Sequence, residues 1–191
     1  MSTEPDDLRR YLGGGFSSLR WKLEDLSEYD IRRPLVPTGT NLLGLVKHVA
    51  SVSAGYFGPV FGRPTAVATP WFENDVPNAD MWATADESAP FILGLLDTAA
   101  AEADATLAAL PLSTPGHVPW WGDRGAVTLG TIAVHMVAEV HRHAGHADIV
   151  RELIDGRAGL LAANPNLPDV DPAWWEAHVA ELQATAESFR R

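Results

Sequence analysis

Cysteine is absent from the 191 residues of this chain. The absence excludes a disulfide framework, a thiolate ligand for a metal ion and a sulfur nucleophile of the protein's own. If the protein takes part in sulfur chemistry, the thiol must therefore come from a separate molecule.

Basic residues and long apolar runs are also scarce. The chain has 14 Lys and Arg against 25 Asp and Glu, which gives a formal net charge of -11. Because neutralising phosphates requires a basic surface, we expect no nucleic-acid partner. No apolar stretch approaches the ~20 residues of a bilayer span, and the opening MSTEPDDLRR is polar and acidic, unlike a signal peptide. We therefore expect a cytoplasmic protein that does not associate with membranes.

Helical periodicity dominates the sequence, and no alternating pattern of useful length predicts a strand. With 46% hydrophobic and 20% charged residues, a chain of this length suits one domain with a sizeable core. We predict a single all-α domain over residues 1–191, a four-helix bundle with long connecting loops and an additional C-terminal helix. Residues 157–191 form a linker and that helix, packed on the bundle. The five predicted helices span residues 6–29, about 41–57, 90–110, 128–156 and 171–189.

A run of three glycines and the Lys47–His48 pair each lead to a separate structural prediction. Gly13, Gly14 and Gly15 each cost roughly 1 kcal/mol relative to alanine inside a helix, so they mark either a close helix crossing or a break between two shorter helices. In the second predicted helix, Lys47 should turn toward solvent. Its neighbour His48 shares a face with apolar residues and should point inward.

The fourth predicted helix carries a stripe of ionisable side chains. At roughly 100° per residue, His135, Glu139, His143 and His146 all fall within about 40° of one line. Glu139 and His143 are one turn apart, so they can meet at one cation, and the inward-facing His48 is the best candidate for a further ligand. A His, Glu, His set leaves coordination positions open, as in catalytic zinc sites.

The remaining histidines of the stripe have secondary roles in this hypothesis. His135 or His146 would serve as a partner to a ligand or as a proton shuttle, and either could replace one of the three named ligands. For His117, His141 and His178 we expect a hydrogen-bonded core position or plain exposure.

Two long loops flank the predicted bundle helices. The loop over residues 58–88 either covers the site or meets a partner, or its aromatic residues Trp71, Phe72 and Trp82 plug the side of the bundle. In the loop over residues 111–127, Trp120 and Trp121 either wall a pocket beside the site or fasten the following helix.

Three sequence segments together resemble the DinB/YfiT-like superfamily, in particular its small actinobacterial members. They are LLGLVKHVASV, WWGDRGAVTL and HMVAEVHRHAGHADIVRELIDG, and the similarity covers most of residues 8–156. The resemblance implies a four-helix bundle that holds zinc, or alternatively nickel, through His48, Glu139 and His143. Many relatives have three histidines, whereas the Glu at the middle position is similar to the mycothiol-dependent maleylpyruvate isomerases. Their additional C-terminal domain has no counterpart in this sequence.

The resemblance also implies a function. Characterised relatives include thiol S-transferases that use mycothiol, bacillithiol or glutathione, so we expect a low-molecular-weight thiol such as mycothiol as co-substrate. The thiol and a small electrophilic substrate would occupy the space walled by Trp120 and Trp121, and analogy with such bundles suggests a homodimer. Two other functions stay open: a hydrolase that activates water at the same metal, and a non-catalytic metal- or ligand-binding stress protein.

Overall fold

Helices make up most of the chain in the computed structural model, which describes residues 3–73 and 76–190. Five of the six described α-helices begin at a side chain that accepts a backbone N–H: Ser27, Asn41, Ser88, Thr128 and Asp171. Such caps satisfy N–H groups that have no partner within the helix, and they set where each helix starts. The helices are α1 (Glu4–Trp21), α2 (Glu28–Arg32), α3 (Leu42–Phe57), α4 (Ala89–Ala109), α5 (Leu129–Asp155) and α6 (Pro172–Glu187).

The bundle consists of α1, α3, α4 and α5, which confirms the predicted fold class. Helix α3 packs against α4 and α5, and α1 packs against α5 and α4. The shared core includes Leu19, Leu43, Val46, Phe57, Ile92, Leu96, Ile132 and Met136, each almost fully buried. Burying one such side chain contributes about 1.5–3 kcal/mol, so this core fixes how the helices face one another. It therefore places α3 directly beside α5.

The first predicted helix is in fact two helices. Helix α1 ends at Trp21, Asp25 adopts a left-handed backbone with φ of 62°, and α2 starts after the Ser27 cap. The glycine run lies inside α1 and does not break it. A Cβ on Gly15 would come within 2.6 Å of Val140 Cγ1 on α5, so the run marks a close helix crossing.

Two alanine substitutions should separate packing from helix propensity in this glycine run. In Gly15→Ala the clash with Val140 should outweigh the gain in propensity of about 1 kcal/mol and lower the free energy of unfolding. Gly13 has no atom within 4 Å of a built Cβ, so Gly13→Ala should raise the free energy of unfolding by up to about 1 kcal/mol. Thermal denaturation checks both signs. An increase in both variants would contradict the close crossing.

No alternating pattern in the sequence predicts a strand, yet a short hairpin precedes α5. Strand β1 (Pro115–His117) pairs antiparallel with β2 (Ala126–Thr128), so that Pro115 lies opposite Thr128. Three-residue strands are too short to produce a recognisable alternation. Between them a 3₁₀ turn over Pro119–Arg124 carries Trp120 and Trp121, and the hairpin holds this turn near the start of α5.

The prediction that Lys47 turns toward solvent is wrong. Its side chain is buried, with Nζ 3.0 Å from the carbonyl oxygens of Ala79 and Trp82 and 2.8 Å from Glu87 Oε2. The ammonium also lies 4.1 Å from the centre of the Trp71 ring. The reason is that the loop after α3 folds back over this face of the helix, which helical periodicity cannot reveal. Residues 74 and 75 of that loop lie outside the described residues.

Helix α6 forms where the sequence predicts it, but the expected packing on the bundle is not what the structure shows. From residue 162 to residue 190, His178 is the one described residue that is not exposed. The preceding linker, by contrast, is attached to α1: Ser18 Oγ donates to the carbonyl of Leu160, and Lys22 Nζ donates to that of Gly159. The bundle therefore does not cover α6. None of the helices in residues 3–73 and 76–190 combines the length and apolar character of a membrane-crossing segment.

Candidate metal centre

His48, Glu139 and His143 meet between α3 and α5. Glu139 Oε1 lies 3.3 Å from His48 Nε2 and 3.1 Å from His143 Nε2. One ligand atom from each residue lies within 4.8 Å of the other two, and the two imidazole centroids are 4.7 Å apart. The residues that the sequence singled out are thus brought together: the spacing of one turn on α5 sets one pair, and the α3–α5 contact adds His48.

The chemistry of this group suits a divalent metal ion. Two imidazole nitrogens and one carboxylate oxygen are donors that zinc and nickel accept, and three protein ligands leave room for a further one. The side chains of His48 and His143 are 15% and 9% exposed, whereas that of Glu139 is 27% exposed. The site is therefore sheltered on the helix side but still reachable by a small molecule.

The charge states of Glu139 and His143 suit metal binding, whereas His48 would first have to lose a proton. Burial lowers the pKa of His48, but the hydrogen bonds to Asp80 and Glu139 outweigh burial and raise it. Burial raises the pKa of Glu139, but the hydrogen bonds to His48 and His143 oppose it and hold the pKa below its usual value. Burial lowers the pKa of His143, and the nearby His48 lowers it further. A carboxylate that stays ionised and an imidazole that stays neutral are the forms that coordinate a metal.

Asp80 completes the site, and the sequence did not single it out. Its Oδ2 lies 2.6 Å from His48 Nδ1, and this hydrogen bond holds the pKa of Asp80 below its usual value. A carboxylate at Nδ1 keeps a proton on that nitrogen, so Nε2, which faces Glu139, is the nitrogen that would release its proton to bind a cation. Asp80 lies 32 residues from His48, in a loop with several other acids, so sequence spacing offers no way to select it.

Replacing Asp80 should weaken the site without dismantling it. Asp80→Asn keeps the size of the side chain but removes the charge that orients His48, so metal affinity should fall about 10–100-fold. A competition titration with a metal-sensitive chelator measures the change. Asp86→Asn, in the same loop and exposed, serves as the control. Unchanged affinity in Asp80→Asn would show that His48 needs no orienting partner.

The two further histidines of the α5 stripe lie on opposite sides of the group. His146 Nδ1 is 3.3 Å from His143 Nδ1, so His146 touches the outer side of a candidate ligand. The ring of His135 lies 5.0 Å from those of Tyr56 and Trp121. Neither belongs to the group of three whose ligand atoms converge among the described residues.

An aromatic cluster adjoins the site along the same two helices. Tyr56 follows His48 by eight residues on α3, and His135 precedes Glu139 by one turn on α5. Both indole N–H groups, of Trp120 and Trp121, donate to Tyr56 Oη, at 3.2 and 3.0 Å. The tryptophans thus fasten the turn before α5. A cavity of about 460 Å³ opens beside them, lined by Trp121, Arg124, Ala126, Val127, Thr131 and His135.

The other aromatic and imidazole groups have structural contacts. Trp71 is buried and donates to Ser51 Oγ at 3.1 Å, so it plugs the side of the bundle, while Phe72 and Trp82 remain exposed. The loop therefore both packs against the bundle and supplies Asp80. His141 contacts the carbonyl of Tyr11 at 3.0 Å. His178 stacks on Trp174, and His117 lies in β1.

A family model described as mycothiol S-transferase matches residues 7–156. The chain belongs to the mycothiol S-transferase family. The matched region contains all three converging residues together with Asp80, and it ends at the residue after α5. The linker and α6 therefore lie outside the part that this family model describes.

Solved structures confirm the DinB/YfiT type of bundle. A conserved protein from Enterococcus faecalis is similar with a TM-score of 0.63 and 15% identity, covering 82% of this chain and 100% of that chain. YfiT from Bacillus subtilis, described as a probable metal-dependent hydrolase with an unusual four-helix bundle topology, has a TM-score of 0.57 and 18% identity. That match covers 80% of this chain and 89% of YfiT. No curated protein matches this sequence.

Proposed function

We propose that this protein holds a divalent metal ion, zinc in preference to nickel, through His48, Glu139 and His143, and uses it to activate a low-molecular-weight thiol such as mycothiol. The sulfur would be transferred to a small electrophilic substrate, or the thiol would assist its isomerisation. The observation that carries the proposal is the convergence of three donor atoms within 4.8 Å, with His135, one helical turn from Glu139, lining a cavity together with Trp121. Membership of the mycothiol S-transferase family supports the choice of thiol.

When bound, the cation would supply positive charge that lowers the pKa of a thiol into the neutral range. The protein's own groups prepare the site for it. Asp80 retains the proton of His48 Nδ1, and His146 contacts Nδ1 of His143, so that both imidazoles present Nε2 toward Glu139. These contacts reduce the freedom of the three donors before any ligand arrives.

His135 is the group we assign to accept the thiol proton. Its imidazole lines the cavity and lies one turn from Glu139, whereas the neighbouring Trp121 wall is apolar. As the S–H proton passes to a nitrogen of His135, a sulfur lone pair forms the C–S bond and the bond from that carbon to the leaving group breaks. The leaving group takes the electron pair of that bond and then the proton held by His135, whereas in an unsaturated substrate the π electron pair moves away from the attacked carbon and accepts that proton. Trp120 and Trp121 would bind the remainder of the thiol or substrate.

Thiol titrations of the cobalt-substituted protein test the proposal. Mycothiol, bacillithiol and glutathione are added separately while the visible spectrum is recorded, because a sulfur ligand changes the absorption of cobalt strongly. We expect saturable spectral changes with at least one thiol, and loss of turnover with an electrophile in His135→Gln although metal content is kept. A spectrum that no thiol alters would contradict thiol activation.

The second candidate is a hydrolase that activates water in place of a thiol. It rests on the similarity to the fold of YfiT, which carries the description of a probable metal-dependent hydrolase. This alternative predicts turnover of an amide, ester or thioester without any added thiol. A protein that bound metal but turned over neither substrate class would favour the non-catalytic function.

A further inference from the structure

Most basic side chains of this acidic protein are neutralised by a carboxylate. Both lysines and eight of the arginines form an ion pair with an Asp or Glu. Within residues 3–73 and 76–190, the basic residues that form no ion pair are Arg63, Arg124 and Arg142. In a chain with 25 acidic residues, an arginine left without a carboxylate is available to an anion from outside.

Arg124 differs from the other two unpaired arginines because it lines a cavity. It lies with Trp121 and His135 in the wall of the cavity of about 460 Å³ before α5, and neither Arg63 nor Arg142 belongs to that wall. The preceding residue, Asp123, also lies outside the wall and forms no ion pair with Arg124. Among the described residues, no acidic side chain lines this cavity. Its wall therefore has one permanent positive charge that the protein leaves unneutralised.

Backbone hydrogen bonds fix the turn that carries Arg124. Val118 N donates to the carbonyl of Gly125 at 2.8 Å, and Gly125 N donates to that of Gly122 at 2.9 Å. Gly122 has a positive φ of 56°, and a Cβ on Gly125 would come within 2.6 Å of the Val118 carbonyl oxygen. The indole of Trp121 attaches the same turn to α3. A ligand would thus meet an arginine whose backbone is already in place, which lowers the entropic cost of binding.

The composition of the wall selects a carboxylate among anions. A guanidinium binds a carboxylate through two parallel N–H···O hydrogen bonds, and its single charge matches that of the acid. Trp121, Ala126 and Val127 make much of the remaining wall apolar. A phosphate, with a charge close to two and three acceptor oxygens, would lack partners there. The ligand that fits is an organic acid with an apolar body.

We propose that Arg124 binds a carboxylate of the electrophilic substrate, so that this protein acts on organic acids. The assignment to the substrate rests on the proposed function, because mycothiol itself carries no carboxylate. Thr131 and His135 of the cavity wall and then Glu139 follow one another along α5, each separated from the next by about 6 Å of helix. A substrate held at Arg124 can therefore extend past His135 toward the candidate metal centre.

Equilibrium dialysis tests the binding site apart from the reaction. The probes are p-nitrobenzoate and its neutral isostere p-nitrobenzamide. The full-length protein is first treated with a chelator, because a bound cation would itself attract the acid. Wild type should bind the acid at least about tenfold more tightly than the amide. Arg124→Gln should abolish this preference and Arg124→Lys should keep part of it. Arg142→Gln, which removes an unpaired arginine outside the cavity, should keep all of it.

Two dialysis results would overturn the inference. One is equal affinity of wild type for acid and amide, including no measurable binding of either. The other is a preference for the acid that survives in Arg124→Gln, because the acid would then bind elsewhere. Arg124 is exposed, so its replacement removes no core packing, and circular dichroism verifies that each variant is folded.

Kinetics of the metal-loaded protein identify which reactant carries the carboxylate. The electrophiles are a chlorodinitrobenzoate with chlorine para to the carboxylate, and its methyl ester; in both, sulfur displaces chloride. With mycothiol, Arg124→Gln should raise the KM for the acid at least about tenfold and leave its kcat, and both constants for the ester, unchanged. With glutathione, a higher KM for the thiol but not for the acid would place the carboxylate on the thiol and overturn the assignment. Lack of turnover with both electrophiles would count against the proposed function, whereas the dialysis would still decide the role of Arg124.

Discussion

Glu139→Gln is expected to abolish stoichiometric metal binding and, with it, thiol-dependent activity. The substitution keeps the shape of the side chain but replaces an anionic donor, placed between two imidazoles at 3.3 and 3.1 Å, with a neutral amide. Loss of a residue that merely orients a ligand costs about 10–100-fold in affinity, so loss of the charged donor itself should exceed this. Metal analysis of the purified protein, compared with wild type and His48→Ala, measures the effect.

The matched control for this experiment lies on the same helix. Glu152 is an exposed glutamate of α5, and Glu152→Gln should leave metal content unchanged. His141→Ala removes an imidazole that contacts the carbonyl of Tyr11 on α1, so it controls for loss of a histidine from α5. Equal metal content in wild type, His48→Ala and Glu139→Gln would refute the proposed ligand set.

Lys47→Met is expected to lower the free energy of unfolding by about 3–5 kcal/mol, because it leaves the carboxylate of Glu87 largely buried without its cation. The substitution also removes the donor to the carbonyls of Ala79 and Trp82, which flank Asp80. Metal affinity should therefore fall as well, although Lys47 touches no candidate ligand atom. Chemical denaturation and a chelator competition measure the two effects on the same preparation.

A double variant separates the buried charge from the packing of the loop. In Lys47→Met with Glu87→Gln the orphaned charge is gone, so much of the lost free energy of unfolding should return. Metal affinity should stay low, because the loop that carries Asp80 still lacks its anchor. If Lys47→Met unfolded no more readily than wild type, the ammonium would not be the group that holds this loop.

The part of the site that lies on one helix could be predicted because it depends on local geometry alone. Residues four apart on a helix stand side by side, so Glu139 and His143 had to form a pair once α5 formed. His48 could be added because its apolar neighbours on α3 showed which face points inward. The contact of Asp80 with His48 could not be predicted, since a loop of some thirty residues has no periodicity that indicates which of its acidic residues packs against the helix.

The burial of Lys47 could not be predicted from the sequence either. A lysine next to an inward-facing residue is normally solvated, and only the loop folded over α3 provides the carboxylate and carbonyls that allow its burial. The hairpin before α5 and the contact of both tryptophans with Tyr56 are similar cases. Each depends on chain segments that are distant in sequence, and sequence patterns within one segment do not report such contacts.

The sequence by itself determined the four bundle helices, the caps of α3, α5 and α6 and the spacing of the candidate ligands on α5, because hydrogen bonding within a helix and helical spacing act over a few residues. Tertiary structure alone decided that Asp80 contacts His48, that Lys47 is buried and that α6 stands clear of the bundle. The physical reason is that these outcomes depend on which surfaces exclude water against each other, and that is a property of the packed chain as a whole.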